Sequence, residues 1–134
     1  MAQSFKLSTE QNGLYDVTSM AEEALAASKI SEGLLLVSVP HSTAAVTVVS
    51  PWDKLGLEDV QDEVNRLVPT RIDFKHQHDT PQDAAGHIKA ALIGHSRMFF
   101  VSDGKIGLGH SQRIYFFEFD GPRKRTVQVQ MIGR

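Results

Sequence analysis

The chain has no cysteine among its 134 residues. That excludes a disulfide framework and any thiolate metal site, so an ion would have to be held by histidine and carboxylate. Long apolar runs are also missing. No stretch approaches the roughly 20 residues of a membrane helix, and the N-terminus, MAQSFKLSTE, lacks the apolar core of a signal peptide. Charge of one sign is scarce: 14 Lys and Arg stand against 16 Asp and Glu, for a formal net charge of -2. Such a balance provides no global field for nucleic acid or an acidic membrane. The expectation is a cytoplasmic protein with neither of those partners. What remains is ordinary for a globular chain, 41% hydrophobic and 22% charged. The length suits one domain, residues 1–134. A chain of this size buries roughly two-thirds of its unfolded surface and needs no staples.

The five prolines punctuate the pattern. Ser4–Thr9 alternates weakly and reads as a first strand, followed by a Gln11-Asn12-Gly13 turn. Val17, Met20, Ala21, Ala24 and Leu25 recur at helical spacing, with Asp16, Thr18 or Ser19 available as the cap. Leu34–Val39 is a continuous apolar run, read as a strand buried on both faces and closed by Pro40. Val46–Val49 is β-branched and strand-like. A second amphipathic helix runs from Leu57 to Leu67 and stops at Pro69. A third starts at Pro81 with Thr80 as its cap and ends at Gly94. Asp103-Gly104 is a hairpin signal between Met98–Val101 and Lys105–Leu108. Arg113–Phe119 alternates, with Ile114 and Phe116 on one face and Phe117 and Phe119 on the other. Gly121-Pro122 turns the chain into Thr126–Ile132, a half-buried strand. The fold class is therefore α+β: a single compact domain with about three helices and a mixed, largely antiparallel core.

Chemistry concentrates in DFKHQHDTPQDAAGHIKA, residues 73–90, which carries His76, His78 and His87. Two or three neutral imidazoles with a carboxylate or water suit zinc or another first-row ion. Asp79 and Asp83 stand nearby as partners able to orient a ring. The spacing matches no defined metal pattern, so a polar surface loop is the competing reading. His95 follows the C-cap glycine and suits a structural role at a helix end. In His41-Ser42-Thr43-Ala44 no nucleophile elbow is present, so Ser42 and Thr43 read as ligand-binding or turn-forming hydroxyls. Glu118-Phe119-Asp120-Gly121-Pro122-Arg123-Lys124-Arg125 puts three cations after a turn, and its guanidinium groups suit phosphate or carboxylate.

Together, HSTA at 41, DFKH at 73, DTPQDAAGHIKA at 79, DGKIGLG at 103, Gln112 and EFDGPRKR at 118 resemble the YjbQ-like family, whose members are also called secondary thiamine-phosphate synthase enzymes. The resemblance spans nearly the whole chain. It implies a β-sandwich-like α+β core, assembly as a homotrimer, and a weak ability to join hydroxymethylpyrimidine diphosphate to thiazole phosphate. It implies that His41, His76 and His87 converge as a metal or anion site for a divalent ion such as zinc, manganese or magnesium. Gln112 and Glu118 would join those histidines as catalytic groups, Gln112 orienting the ligand and Glu118 orienting a basic partner. Arg123 and Arg125, with Ser42 and Thr43, would bind a small phosphorylated metabolite. The alternatives are an oligomeric protein that only binds a metal or phosphometabolite, and a metal-assisted hydrolase. The chain departs from the family pattern at Ser111, where a tryptophan is usual before the glutamine. It departs again at Val49-Ser50, where an Asn-Glu pair is common; Asp53 and Trp52 are the nearest substitutes.

Overall fold

A computed structural model describes residues 2–134. The elements run β1 (Gln3–Thr9), β2 (Gly13–Asp16), α1 (Thr18–Ser28), β3 (Gly33–Ser38), β4 (Ala44–Val49) and α2 (Lys54–Leu67). They continue with α3 (Pro81–Ile93), β5 (Ser96–Ser102), β6 (Lys105–Ile106), β7 (Arg113–Glu118) and β8 (Arg123–Gly133). Five strands form one sheet in the order β1-β8-β3-β5-β6, and three form another in the order β2-β7-β4. Every pairing is antiparallel. The α+β class holds.

The alternation in β7 decides the layering. Ile114 and Phe116 point into a core shared with Leu35, Val37, Val127 and Val129 of the larger sheet and with Ala21, Ala24 and Leu25 of α1. Phe117 and Phe119 point the other way and meet Val60 and Val64 of α2 and Ala90 and Ile93 of α3. Burying each such aromatic contributes roughly 1.5–3 kcal/mol. β7 is thus covered on both faces, as a central strand must be.

β3 departs from expectation. Leu35, Val37 and Val39 are buried, while Leu34 and Leu36 are only partly covered. The physical reason is that, among the described residues, no element packs on the outer side of the five-stranded sheet. Leu34 stands beside Phe100 and Ile132, and Leu36 beside Met98. Phe100 is 77% exposed and Ile132 68%. The short strand β2 was also not anticipated; its four residues pair with β7 directly after the Gly13 turn. α2 begins at Lys54, earlier than the Leu57 start expected from periodicity, and is capped by Asp53, whose carboxylate accepts from the Gly56 N–H at 2.7 Å. No helix among the described residues is long and apolar enough to cross a membrane.

The third helix starts where its sequence says it should. Pro81 occupies the first turn and the Thr80 hydroxyl accepts from the Asp83 N–H at 3.1 Å. Gly86 brings α3 down onto the sheet: a Cβ there would stand 3.2 Å from the Phe119 Cβ and 3.4 Å from the Thr43 Cβ. That close approach places Asp83 below the surface and leaves His87 at its edge.

Candidate metal centre

Asp83 and His87 are four apart on α3, so they share one face of the helix. The loop before α3 returns His76 to the same face. His76 Nε2 lies 3.1 Å from Asp83 Oδ2, and His87 Nε2 lies 3.2 Å from the same oxygen. The two rings stand edge to face with centroids 5.2 Å apart. Donor atoms from His76, Asp83 and His87 all fall within 4.8 Å of one another. Ligands about 2.0–2.2 Å from a zinc-like ion stand about 3.0–3.5 Å apart at neighbouring corners of its coordination sphere. The two nitrogen–oxygen separations fit that edge. Two imidazoles and one carboxylate are also the donor types such an ion prefers.

Exposure differs within the group. The Asp83 side chain is 8% exposed, whereas His76 and His87 are 47% and 40% exposed. Burial by itself would raise the Asp83 pKa. The hydrogen bond from His76, the charge of His87 and the adjoining Asp120 outweigh it and hold the carboxyl below its ordinary value. Asp120 links this group to Arg123. Gln82 Nε2 donates to Asp120 Oδ1 at 3.1 Å, and Arg123 Nη2 donates to Asp120 Oδ2 at 2.8 Å. Arg123 keeps its outer side in solvent.

Glu118 and Arg125 form a second ionic cluster of different character. Arg125 Nε donates to Glu118 Oε1 at 2.8 Å, and Arg125 Nη2 donates to Glu118 Oε2 and to the Thr43 hydroxyl. The Thr9 hydroxyl and the Asp120 N–H complete the carboxylate's partners. Burial pushes the Glu118 pKa up, but these hydrogen bonds and the Arg125 charge bring it below its ordinary value. The pair is 0% and 6% exposed. Within this chain Glu118, Arg125 and Thr43 therefore hold β7, β8 and the start of β4 together, and the Glu118 carboxylate spends both oxygens on partners inside the fold.

His41 does not join the cluster of His76, Asp83 and His87. Its Nε2 accepts from the Thr126 N–H at 2.9 Å, which occupies the lone pair a metal would use. Burial first, and then the Arg125 charge, depress its pKa and favour the neutral ring this bond requires. His41 and exposed Ser42 line a different cleft, shared with His87 and His95. Gln112 is farther still. It sits before β7, at the end opposite Glu118 (Arg113–Glu118, 6 residues), on the order of 20 Å away at a strand's rise per residue. There its Oε1 accepts from the Gly109 N–H at 2.7 Å.

Sequence reasoning had cast Asp83 only as a partner to a ligand, and here it offers the third donor. The signal for it was present: an aspartate four residues before a histidine, just inside a proline-started helix. Nothing in the spacing placed His41 apart from His76, because that separation depends on the strand order.

An α+β domain with a two-histidine, one-carboxylate cluster at a helix edge is the class that fold and site define. The sequence profile described as "UPF0047 protein YjbQ-like" matches residues 3–134, and the chain belongs to this YjbQ/UPF0047 family. It is 36% identical to the UPF0047 protein MJ1081 of Methanocaldococcus jannaschii over 120 residues, covering 90% of this chain and 85% of that one. It is 33% identical to the UPF0047 protein YugU of Bacillus subtilis over 127 residues, covering 93% of each. Among solved structures, hypothetical protein APE1520 from Aeropyrum pernix K1 superposes with a TM-score of 0.93 at 38% identity, over 100% of this chain and 99% of that one. A YbjQ-like protein of unknown function from Sulfolobus solfataricus P2 superposes at 0.94 with 29% identity, over 100% and 97%.

Proposed function

We propose that this protein is a metal-dependent protein acting on a small phosphorylated metabolite, with His76, Asp83 and His87 as the ligands of a divalent ion. The observation that carries this reading is the convergence of His76 Nε2 and His87 Nε2 on one Asp83 oxygen, at 3.1 and 3.2 Å. A bound ion supplies Lewis acidity toward a phosphoryl or carbonyl oxygen. The chain's own groups supply the rest. Asp83 offers a charged donor, kept ionised by the two rings. Arg123, fixed by Asp120, presents a guanidinium edge to a phosphate. Gln82 holds Asp120 in the orientation that keeps Arg123 in place. Displacement of a diphosphate leaving group calls for charge stabilisation of this kind rather than a strong protein nucleophile.

Isothermal titration with zinc and manganese tests the reading. One ion per chain, with affinity lost in Asp83→Asn and His87→Ala, is the expected outcome. No binding by the unaltered protein would sink it. Two reactions are then open to the site: hydrolysis of a phosphate ester, and the thiamine-phosphate synthesis that the motif set suggests. Saturable thiamine phosphate formation from hydroxymethylpyrimidine diphosphate and thiazole phosphate would select the second. Phosphate release without any coupled product would select the first, and binding with neither leaves a metabolite-binding protein.

The reading includes self-association as a homotrimer. Leu34, Leu36, Met98, Phe100 and Ile132 form an apolar strip on the outer side of the five-stranded sheet, and a soluble chain gains by covering such a strip with copies of itself. Light scattering should return three times the chain mass of 14.8 kDa. A single-chain mass would refute it.

A further inference from the structure

The cleft beside the ion ligands has a chemistry of its own. It has a volume of about 550 Å³ and lies between the loop before α3 and the first turns of α3. That volume falls within the range of small-molecule sites, roughly 300–1,000 Å³. His76 and His87 line it, so open positions on an ion held by them would face its interior. Phe74, Ala84 and Ile88 form its apolar wall. Phe74 is the one buried residue of the 69–80 loop, and it packs on Ala84 and Ala85. Arg71 and Lys75 stand at the cleft, and the Arg71 guanidinium lies 4.7 Å over the Phe74 ring. Asp73, 3.4 Å from Arg71, offsets one of these two cations. One positive charge is left over beside an apolar wall.

We propose that this cleft binds an amphiphilic oxyanion: an aromatic or short apolar body carrying one carboxylate or phosphate. The oxyanion reaches the ion at His76 and His87, and the body lies along Phe74, Ala84 and Ile88 under Arg71. The proposal rests on the ion reading for one of its two anchors; the apolar wall is independent of it. It also specifies how the site is assembled. The loop supplies Phe74 and His76, and α3 supplies Asp83, Ala84, His87 and Ile88. An ion that joins His76 to Asp83 and His87 would therefore pin the loop to α3 beside the cleft. Ion and oxyanion must then strengthen each other's binding by the same factor.

Calorimetric titration of the full chain, with and without zinc, tests this with four probes: benzoate, phenyl phosphate, acetate and inorganic phosphate. Each aryl probe should bind at least about tenfold more tightly than its counterpart without the ring, the margin a well-fitted apolar group provides. Which of the two aryl probes binds better identifies the oxyanion. Ile88→Asn, at a position already 40% exposed, should abolish the aryl preference while leaving zinc affinity within about twofold, since it adds no charge beside the ion and removes no ligand. Equal affinities for ring and ringless probes, or an aryl preference that survives Ile88→Asn, would overturn the proposal. Zinc binding with no aryl preference overturns the cleft and spares the ion site. Aryl preference with Ile88 dependence but no zinc binding supports the cleft and overturns the ion reading.

Discussion

Two carboxylates in this fold sit in ionic clusters that are alike in depth and differ in kind. Glu118 is completely buried, and its partner is Arg125, a cation that never gives up its charge. Its remaining acceptor sites are filled by the Thr9 hydroxyl and the Asp120 N–H. Asp83 is almost as deeply placed, but its partners are two half-exposed imidazoles. Imidazoles exchange protons and take metals near neutral pH. The first cluster is closed and ties strands together. The second is open on the solvent side and can exchange what it holds. Depth of burial does not separate the two; the identity and exposure of the partners do.

The comparison breaks most sharply at Glu118. Glu118→Ala leaves Arg125 buried without its counter-ion, which costs about 3–5 kcal/mol. Chemical denaturation should show that loss, and a change under about 1 kcal/mol would mean the cluster is not structural. Asp83→Asn should behave in the opposite way. Metal affinity should fall by more than the roughly 10- to 100-fold that loss of a mere outer-sphere partner costs, while the fold survives. A variant that unfolds instead would place Asp83 with Glu118.

Acidification sharpens the contrast further. Both carboxyl groups have folded pKa values below their ordinary values of 3.8 for Asp83 and 4.5 for Glu118. Each therefore contributes stability that is complete above that ordinary value and lost as pH falls through the lower folded one. His41 follows the same sign at higher pH. Its folded pKa lies below 6.5, so the neutral ring's contribution is complete above 6.5 and fades as pH falls through the folded value. Stability measured from pH 8 to pH 4 should decline first through His41, and His41→Gln should flatten that part of the curve. Metal affinity should fall in the same direction, because ligating imidazoles must be deprotonated. The smallest effect belongs to an exposed pair. Arg66 Nε donates to Glu63 at 2.7 Å, with both side chains mostly in solvent. Arg66→Ala should change stability by about 0.5 kcal/mol or less, which sets the baseline for the other variants.

Much of the scaffold was legible because it is encoded locally. Thr80 and Pro81 announced the start of α3, and Gly94 its end. The period-two alternation in β7 put Phe116 and Phe117 on opposite faces, and the structure buries them in separate clusters. His87 was legible as a site residue, and its four-residue spacing from Asp83 was there to be used. The misreadings share one cause. Leu34 and Leu36 looked like core because an apolar run does not say whether a second layer exists to cover it. His41 looked like a ligand because nothing in the order of motifs reveals that the Thr126 N–H occupies its ring nitrogen. Glu118 does hold a basic partner, but that the partner is Arg125, 7 residues along the chain, is fixed only when β7 and β8 meet in space.

By itself, the sequence determined the composition of any metal site, since a chain without cysteine can offer only histidine and carboxylate. It also determined the helix that carries Asp83 and His87, through a cap and a periodicity that act within a few residues. Only the tertiary structure decided which groups meet. His76 reaches Asp83 because Phe74 packs its loop onto α3. His41 is turned elsewhere because it follows β3, which pairs with β8 and so sets its ring against the Thr126 N–H. Glu118 is silenced because Arg125 is buried against it. Caps and periodicity are short-range, whereas the convergence of distant side chains depends on how whole layers pack.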